Sequence, residues 1–85
     1  MSQWFVYMVR CADGTYYTGV TTDVARRLCE HNGEVGSGKG AKYTKARRPV
    51  TLVYEEKVLN RSVAQQREAA IRRLTREGKS RLVFG

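Results

Sequence analysis

Two tyrosines, an arginine, a histidine and a glutamate stand in an order that suits phosphodiester chemistry: Tyr7, Tyr17, Arg27, His31 and Glu68. Tyr7, Tyr17 and Arg27 are ten residues apart, and His31 follows Arg27 by four, one helical turn. A phenol with its ordinary pKa near 10 is a poor base. A metal ion or guanidinium beside it stabilises the phenolate and makes the role accessible. Arginine grips a phosphate through a rigid fork of donors and offsets charge in the transition state. Imidazole relays protons near neutral pH. A single carboxylate is enough for magnesium, which otherwise keeps water and phosphate oxygens. Such a set can activate a water with Tyr7 as base and Tyr17 as its hydrogen-bonding partner, while one ion on Glu68 steadies the leaving 3′-oxygen.

Each residue also has a plainer reading. The tyrosines can be ordinary sheet aromatics, and Arg27 can be as solvated as its neighbour Arg26. His31 can simply end a helix, and Glu68 can pair with Arg72 one turn on. The constellation, rather than any single member, carries the argument.

The elements that must position these side chains follow from local patterns. Residues 4–10 and 15–20 are aromatic and β-branched, as strands require. Asp13-Gly14 between them signals a hairpin. A two-residue loop would put Tyr7 and Tyr17 on opposite faces. A three-residue loop, Ala12-Asp13-Gly14, puts them on the same face, with Gly14 in the left-handed position and Tyr16 facing away. Thr22 or Asp23 caps a helix over 24–32 that stops at Gly33, with Val24 and Leu28 as its buried stripe. Pro49 precedes a third strand over 50–57. Ser62 and Gln65 form a capping box for a helix running to Glu77 and stopping at Gly78. On that helix Glu68 lies beside a stripe of Val63, Ala70, Ile71 and Leu74. The expected fold is α+β: a small antiparallel three-stranded sheet flanked by helices, in the order β-β-α-β-α, as one domain over residues 1–85.

The chain has 85 residues, and a domain of this size buries one modest core and a shallow site. Sixteen Lys and Arg against eight Asp and Glu give a net charge of +8, which favours a polyanionic partner, nucleic acid first. Cys11 and Cys29 lack the close spacing of a metal or redox pair and read as reduced thiols. The N-terminus has no signal-peptide pattern and no stretch is apolar enough to span a bilayer, so the expected location is cytoplasmic, without a membrane partner.

Residues 33–48 are rich in Gly, Lys and Arg and form a basic loop. Its run from Gly33 to Gly40 approaches a phosphate-binding P-loop, yet Gly40 stands where Ser or Thr would hold magnesium and a helix precedes it. Nucleotide hydrolysis is therefore rejected. Lys39, Lys42, Lys45, Arg47 and Arg48 are instead expected to contact nucleic-acid phosphates, which positions a substrate without reading its sequence.

In this order and spacing the chain resembles the GIY-YIG nuclease superfamily. Phe5-Val6-Tyr7 corresponds to the first signature, with only the tyrosine retained. Tyr17-Thr18-Gly19 corresponds to the second, with tyrosine and glycine retained. The runs Cys11-Ala12-Asp13-Gly14 and Gly38-Lys39-Gly40-Ala41-Lys42-Tyr43-Thr44 are similar to the small stand-alone bacterial members. The resemblance implies a magnesium- or manganese-dependent endonuclease using one ion. Its site residues would be Tyr7, Tyr17, Arg27, His31 and the metal-binding Glu68, acting on DNA, branched or single-stranded forms and RNA included. Many members carry an asparagine after the glutamate, and here none follows Glu68. The alternative is a non-catalytic nucleic-acid-binding module on the same fold.

Overall fold

Val6, Tyr7, Met8 and Val9 are all buried, an unbroken run that marks a strand covered on both faces. That strand, β1 (Trp4–Arg10), is the centre of the sheet, between β2 (Tyr16–Thr21) and β3 (Thr51–Val58), and both pairings are antiparallel. The computed structural model describes residues 3–32 and 47–84. Three described helices complete it: α1 (Val24–His31), α2 (Arg61–Arg72) and α3 (Arg76–Phe84). The expected α+β architecture is the observed one, with α3 as an addition.

The hairpin is the longer of the two considered. The amide of Cys11 donates to the carbonyl of Thr15 at 2.8 Å, and that of Gly14 donates to the carbonyl of Cys11 at 2.9 Å. Gly14 has φ +85°, the left-handed conformation the three-residue loop demands. Its register pairs Tyr7 with Gly19 and Val9 with Tyr17, so the two tyrosines are diagonal neighbours on one face. Asp13 closes the turn by accepting from the backbone and hydroxyl of Thr15.

The two faces of the sheet have separate cores. Val6 and Met8 pack on Ala64 and Ile71 of α2, with Tyr16, Tyr54, Leu82 and Val83 around them. Tyr7, Val9, Cys11 and Val50 pack on the other face with Tyr17, Val24, Leu28 and Leu52. Alternation along β1 thus sends the candidate tyrosines towards α1 and Tyr16 towards α2, as the sequence predicts.

Local corrections concern the helices. Asp23 caps α1 by accepting from the amide of Arg26, and Asn32 closes it. Asn60, not Ser62, caps α2: its side chain accepts from the amide of Val63 at 2.9 Å. The expected helix to Glu77 ends at Arg72. Thr75 then starts α3, with its hydroxyl accepting from the amide of Gly78 at 3.0 Å. Gly78 therefore sits inside a first helical turn instead of ending a last one, and Leu82 and Val83 return to the core. Among the described residues no helix is long and apolar enough to cross a membrane.

Candidate active site

Tyr7 reaches across β2 because nothing stands in its way. A Cβ built on Gly19, its register partner, would lie 2.6 Å from the Tyr7 hydroxyl and 2.8 Å from Cζ. The glycine of Tyr17-Thr18-Gly19 is thus the floor on which the phenol lies. Beyond it the Tyr7 oxygen lies 2.7 Å from Nε2 of His31. His31 is fully buried, the deepest residue of α1, and not a solvated helix end. The rings of Tyr7, Tyr17 and His31 form a triangle with centroids 6.5, 5.8 and 5.1 Å apart. The Tyr7 hydroxyl, expected to meet Tyr17, meets His31.

Burial pushes the Tyr7 phenol well above the ordinary phenol range, while the charge and hydrogen bonding of Arg27 oppose it. Burial, joined by the positive charge of Arg27, lowers His31 to about 4. Both groups are therefore neutral near pH 7. The neutral imidazole and the phenol share one hydrogen bond at Nε2, in which the imidazole accepts when its proton is on Nδ1.

Arg27 is held by a residue that the sequence reading missed. Its Nη1 lies 2.7 Å from Oε1 of Glu30, and Arg26 approaches the same carboxylate at 3.5 Å. The three-residue spacing on a helix was the available signal. The Arg27 hydrogen bond holds the Glu30 carboxyl below the usual carboxylate range. The pair lines an open cleft of about 400 Å³ with Trp4, Thr21, Thr22 and Arg61. The guanidinium of Arg61 sits 5.8 Å from the Trp4 ring centroid, within cation–π range.

The base of α1 is pinned from the far side of the basic loop. Asn32 exchanges two hydrogen bonds with the backbone of Val50, and Arg48 donates to the His31 carbonyl at 2.6 Å. Arg47 pairs with Asp13 at 3.0 Å. Both expected phosphate contacts thus have partners within the fold, whereas Lys39, Lys42 and Lys45 lie outside the described residues.

Glu68 approaches from the other face. On α2 the buried residues are Ala64 and Ile71, so the inward stripe runs i, i+7, with positions 67 and 68 on its two flanks. Of the expected stripe of Val63, Ala70, Ile71 and Leu74, Ile71 is buried and Val63 half-buried, whereas Ala70 and Leu74 are exposed. Arg67 turns to β3, where it grips Glu56 at 2.8 and 2.9 Å. Glu68 therefore lies on the β2 side, half-buried, with Arg72 one turn further along the same flank. The plainer alternative, a Glu68–Arg72 ion pair, is not formed. Among the described residues Glu68 makes no ion pair or side-chain hydrogen bond, although its charge reaches the Tyr7 phenol and contributes to raising its pKa. No three His, Cys, Asp or Glu side chains cluster among those residues. A lone half-buried carboxylate without a protein partner suits magnesium, which fills its remaining positions with water and phosphate oxygens.

Comparison with known proteins agrees with this geometry. The family model described as the GIY-YIG catalytic domain matches residues 3–81. A UPF0213 protein of Desulfotalea psychrophila is 58% identical over 80 residues, covering 94% of this chain and 70% of its own. One from Halobacterium salinarum is 52% identical over 77 residues, covering 91% and 95%. The solution structure of the UPF0213 protein BH0048 from Bacillus halodurans superposes with a TM-score of 0.58 at 41% identity, covering 95% of this chain and 82% of that one. That of EF2693 from E. faecalis gives 0.62 at 40%, with the same coverage. A sheet that lays one tyrosine over the glycine of the second signature, an arginine and histidine on the first helix and a glutamate on the next thus agree with the sequence match: the chain belongs to the GIY-YIG family.

Proposed function

We propose that this protein is a metal-dependent endonuclease that hydrolyses phosphodiester bonds in DNA by water attack. The observation that carries the reading is Glu68: a half-buried carboxylate without an ion pair among the described residues, on the flank of α2 that faces the strand bearing Tyr17. A structural carboxylate in that place would be expected to have a partner, because leaving a charge half-desolvated and unpaired is costly.

Arg27 would bind the scissile phosphate, with Glu30 fixing the direction of its fork. Tyr7 would take the proton of the attacking water while its own proton passes to Nε2 of His31. The anionic phosphate raises the proton affinity of the imidazole at that moment. Tyr17, the more exposed of the two tyrosines, would orient the water. Glu68 would hold a magnesium or manganese ion, whose chemistry there would be positive charge for the leaving 3′-oxygen. The products are a 5′-phosphate and a 3′-hydroxyl. Lys39, Lys42, Lys45, Arg47 and Arg48 would hold flanking phosphates.

A non-catalytic nucleic-acid-binding module fits the charge of +8 equally well. It gives no reason for an unpaired carboxylate beside a phosphate-binding surface. The test is cleavage of labelled duplex, flap, branched and single-stranded DNA, and of RNA, in magnesium, manganese or EDTA. Metal-dependent cutting that disappears in Glu68→Ala is expected. Salt-sensitive binding without cutting of any substrate would establish the binding module instead.

A further inference from the structure

β2 is an edge strand, and its free side is not bare. Two shallow grooves adjoin along it. One, of about 220 Å³, is lined by Tyr16, Tyr17, Thr18, Arg72 and Lys79. The other, of about 280 Å³, is lined by Gly14, Thr15, Tyr16, Arg76 and Lys79. Tyr16 and Lys79 belong to both, so the two grooves adjoin and together make a channel from Tyr17 to the hairpin tip, with Tyr16 and Lys79 at their junction.

The channel holds three cations and no acid. Arg72, Arg76 and Lys79 make no ion pair and no side-chain hydrogen bond among the described residues. The only acid on α3, Glu77, is held by Arg81 at 2.7 Å on an exposed surface. Elsewhere Asp13, Glu30 and Glu56 are matched to arginines, and Asp23, Glu55 and Glu68 do not line the channel. Three unmatched cations gathered along an open edge are therefore an electrostatic demand that the fold leaves unmet. At the far end Arg76 reaches the hairpin tip, its Nη2 within van der Waals contact of the position a Cβ on Gly14 would take.

The near end of the channel is the candidate active site itself. Tyr17 lines it and also packs 5.1 Å from His31, and Arg72 shares the flank of α2 with Glu68. We propose that this β2-edge channel is a track for the phosphodiester backbone of the DNA substrate, with Arg72, Arg76 and Lys79 engaging successive phosphates on one side of the scissile bond. The track builds on the nuclease reading for its direction. Arg76 and Lys79 come from α3 and Arg72 from the end of α2, and the channel lies at the hairpin end of β2, whereas the cleft of Arg26 and Arg61 lies at the strand's other end, beside Val20 and Thr21.

Binding of a fluorescein-labelled 20-base-pair duplex, measured by anisotropy in EDTA across a potassium chloride series, tests the track. The double variant Arg76→Gln/Lys79→Gln should bind at least about 5-fold more weakly near 100 mM salt. The slope of log affinity against log salt should shrink by about 1.8 on duplex, or about 1.4 on a single strand, the counterion release of two phosphate contacts. A control with the same charge change, Lys57→Gln/Arg73→Gln, removes exposed cations from β3 and the outer side of α2 and should move the slope by less than half as much. Circular dichroism melts confirm folding, and Lys79→Gln alone should give about half the slope change. An unchanged affinity and slope in the double variant, equal effects of the two doubles, or no binding by the wild type would overturn the track. Cleavage by wild type separates the two ideas. Binding through these cations without cutting sinks the nuclease and keeps the track, and cutting with unaltered binding in the double variant does the reverse.

Discussion

The two faces of the sheet treat their polar groups differently. Towards α1, Tyr7 meets His31, Arg27 meets Glu30, and Arg48 and Asn32 lock the helix end to the chain that follows. Towards α2 and α3, on the β2 side, Glu68, Arg72, Arg76 and Lys79 meet nothing among the described residues. The first face is preorganised: its groups are aimed by protein partners and cost little to reorganise when charge develops. On the proposed reading the second face is left open for its ligands, a cation at Glu68 and phosphates at the three basic residues. A site that joins a finished half to an unfinished half has the form of one completed by its substrate.

The comparison is broken most sharply at its finished half. Tyr7→Phe removes the proposed proton acceptor and the 2.7 Å hydrogen bond to Nε2 of buried His31. Cleavage should fall about 10²–10⁴-fold, the range for loss of a general base. Stability should fall by about 1–3 kcal/mol, the cost of losing a buried hydrogen bond. Single-turnover rates and chemical denaturation measure the two separately. An active Tyr7→Phe enzyme would remove Tyr7 from the chemistry and move the role to Tyr17.

Gly19→Ala acts on the same phenol without touching its oxygen chemically. The added methyl meets Tyr7 at 2.6–2.9 Å, so ring or strand must shift. Overpacking of this kind costs about 1–3 kcal/mol. The expected outcome is a lower thermal midpoint together with reduced cleavage, and a wild-type midpoint would show that the close approach is not maintained in solution.

The pH dependence of stability sharpens the contrast further. His31 is held at about 4 in the folded protein, below the 6.5 of an unfolded histidine. Its stabilising contribution is complete above about pH 6.5 and is lost as pH falls towards 4, because the unfolded chain then binds the extra proton. Asp13, Glu30 and Glu56 are lowered by their partners, so their contributions disappear only below the ordinary carboxylate range. The thermal midpoint should therefore drop by about 5–10 °C between pH 7 and pH 5. In His31→Gln the same interval should be nearly flat. An equal drop in both proteins would assign the pH sensitivity elsewhere.

The smallest expected effect lies on the unfinished half. Thr75→Ala uncaps α3 and should cost about 1 kcal/mol in denaturation. DNA affinity should weaken while the cleavage rate at saturating DNA holds, since the helix carries cations and not the reacting groups. A loss of that rate would draw α3 into the chemistry.

Much of the finished half was legible in the sequence because it rests on parity and periodicity. The side on which Tyr17 falls follows from loop length, and the three-residue hairpin was derivable from the requirement that two tyrosines share a face. Arg27 and His31 share a face by helical spacing alone. What spacing cannot give is depth. His31 is buried because α1 packs Val24 and Leu28 on the Tyr7 core and turns His31 onto the phenol, a tertiary fact, and its low pKa follows from that depth. Glu30 was readable at i+3 from Arg27 and was passed over. On α2 the inward stripe was displaced because Leu74 looks like core yet lies beyond the helix end and is 40% exposed. Asn60 and Ser62 are two residues apart and both can cap; packing of Ala64 and Ile71 selects Asn60. α3 was hidden by Gly78, which reads as a stop until Thr75 is recognised as the cap of a new helix. With α3 hidden, the alignment of Arg72, Arg76 and Lys79 on one strand edge could not be seen.

The central claim is that Glu68 completes a catalytic centre instead of stabilising a fold. Its most direct test is Glu68→Gln, which keeps size and polarity and removes charge. Duplex affinity in EDTA and the single-turnover cleavage rate in magnesium are measured for both proteins. The account predicts magnesium-dependent cutting by wild type, a rate at least about 10³-fold lower in Glu68→Gln, and affinities and melting temperatures that agree. Equal rates in the two proteins, or a variant that fails only because it unfolds, would contradict it.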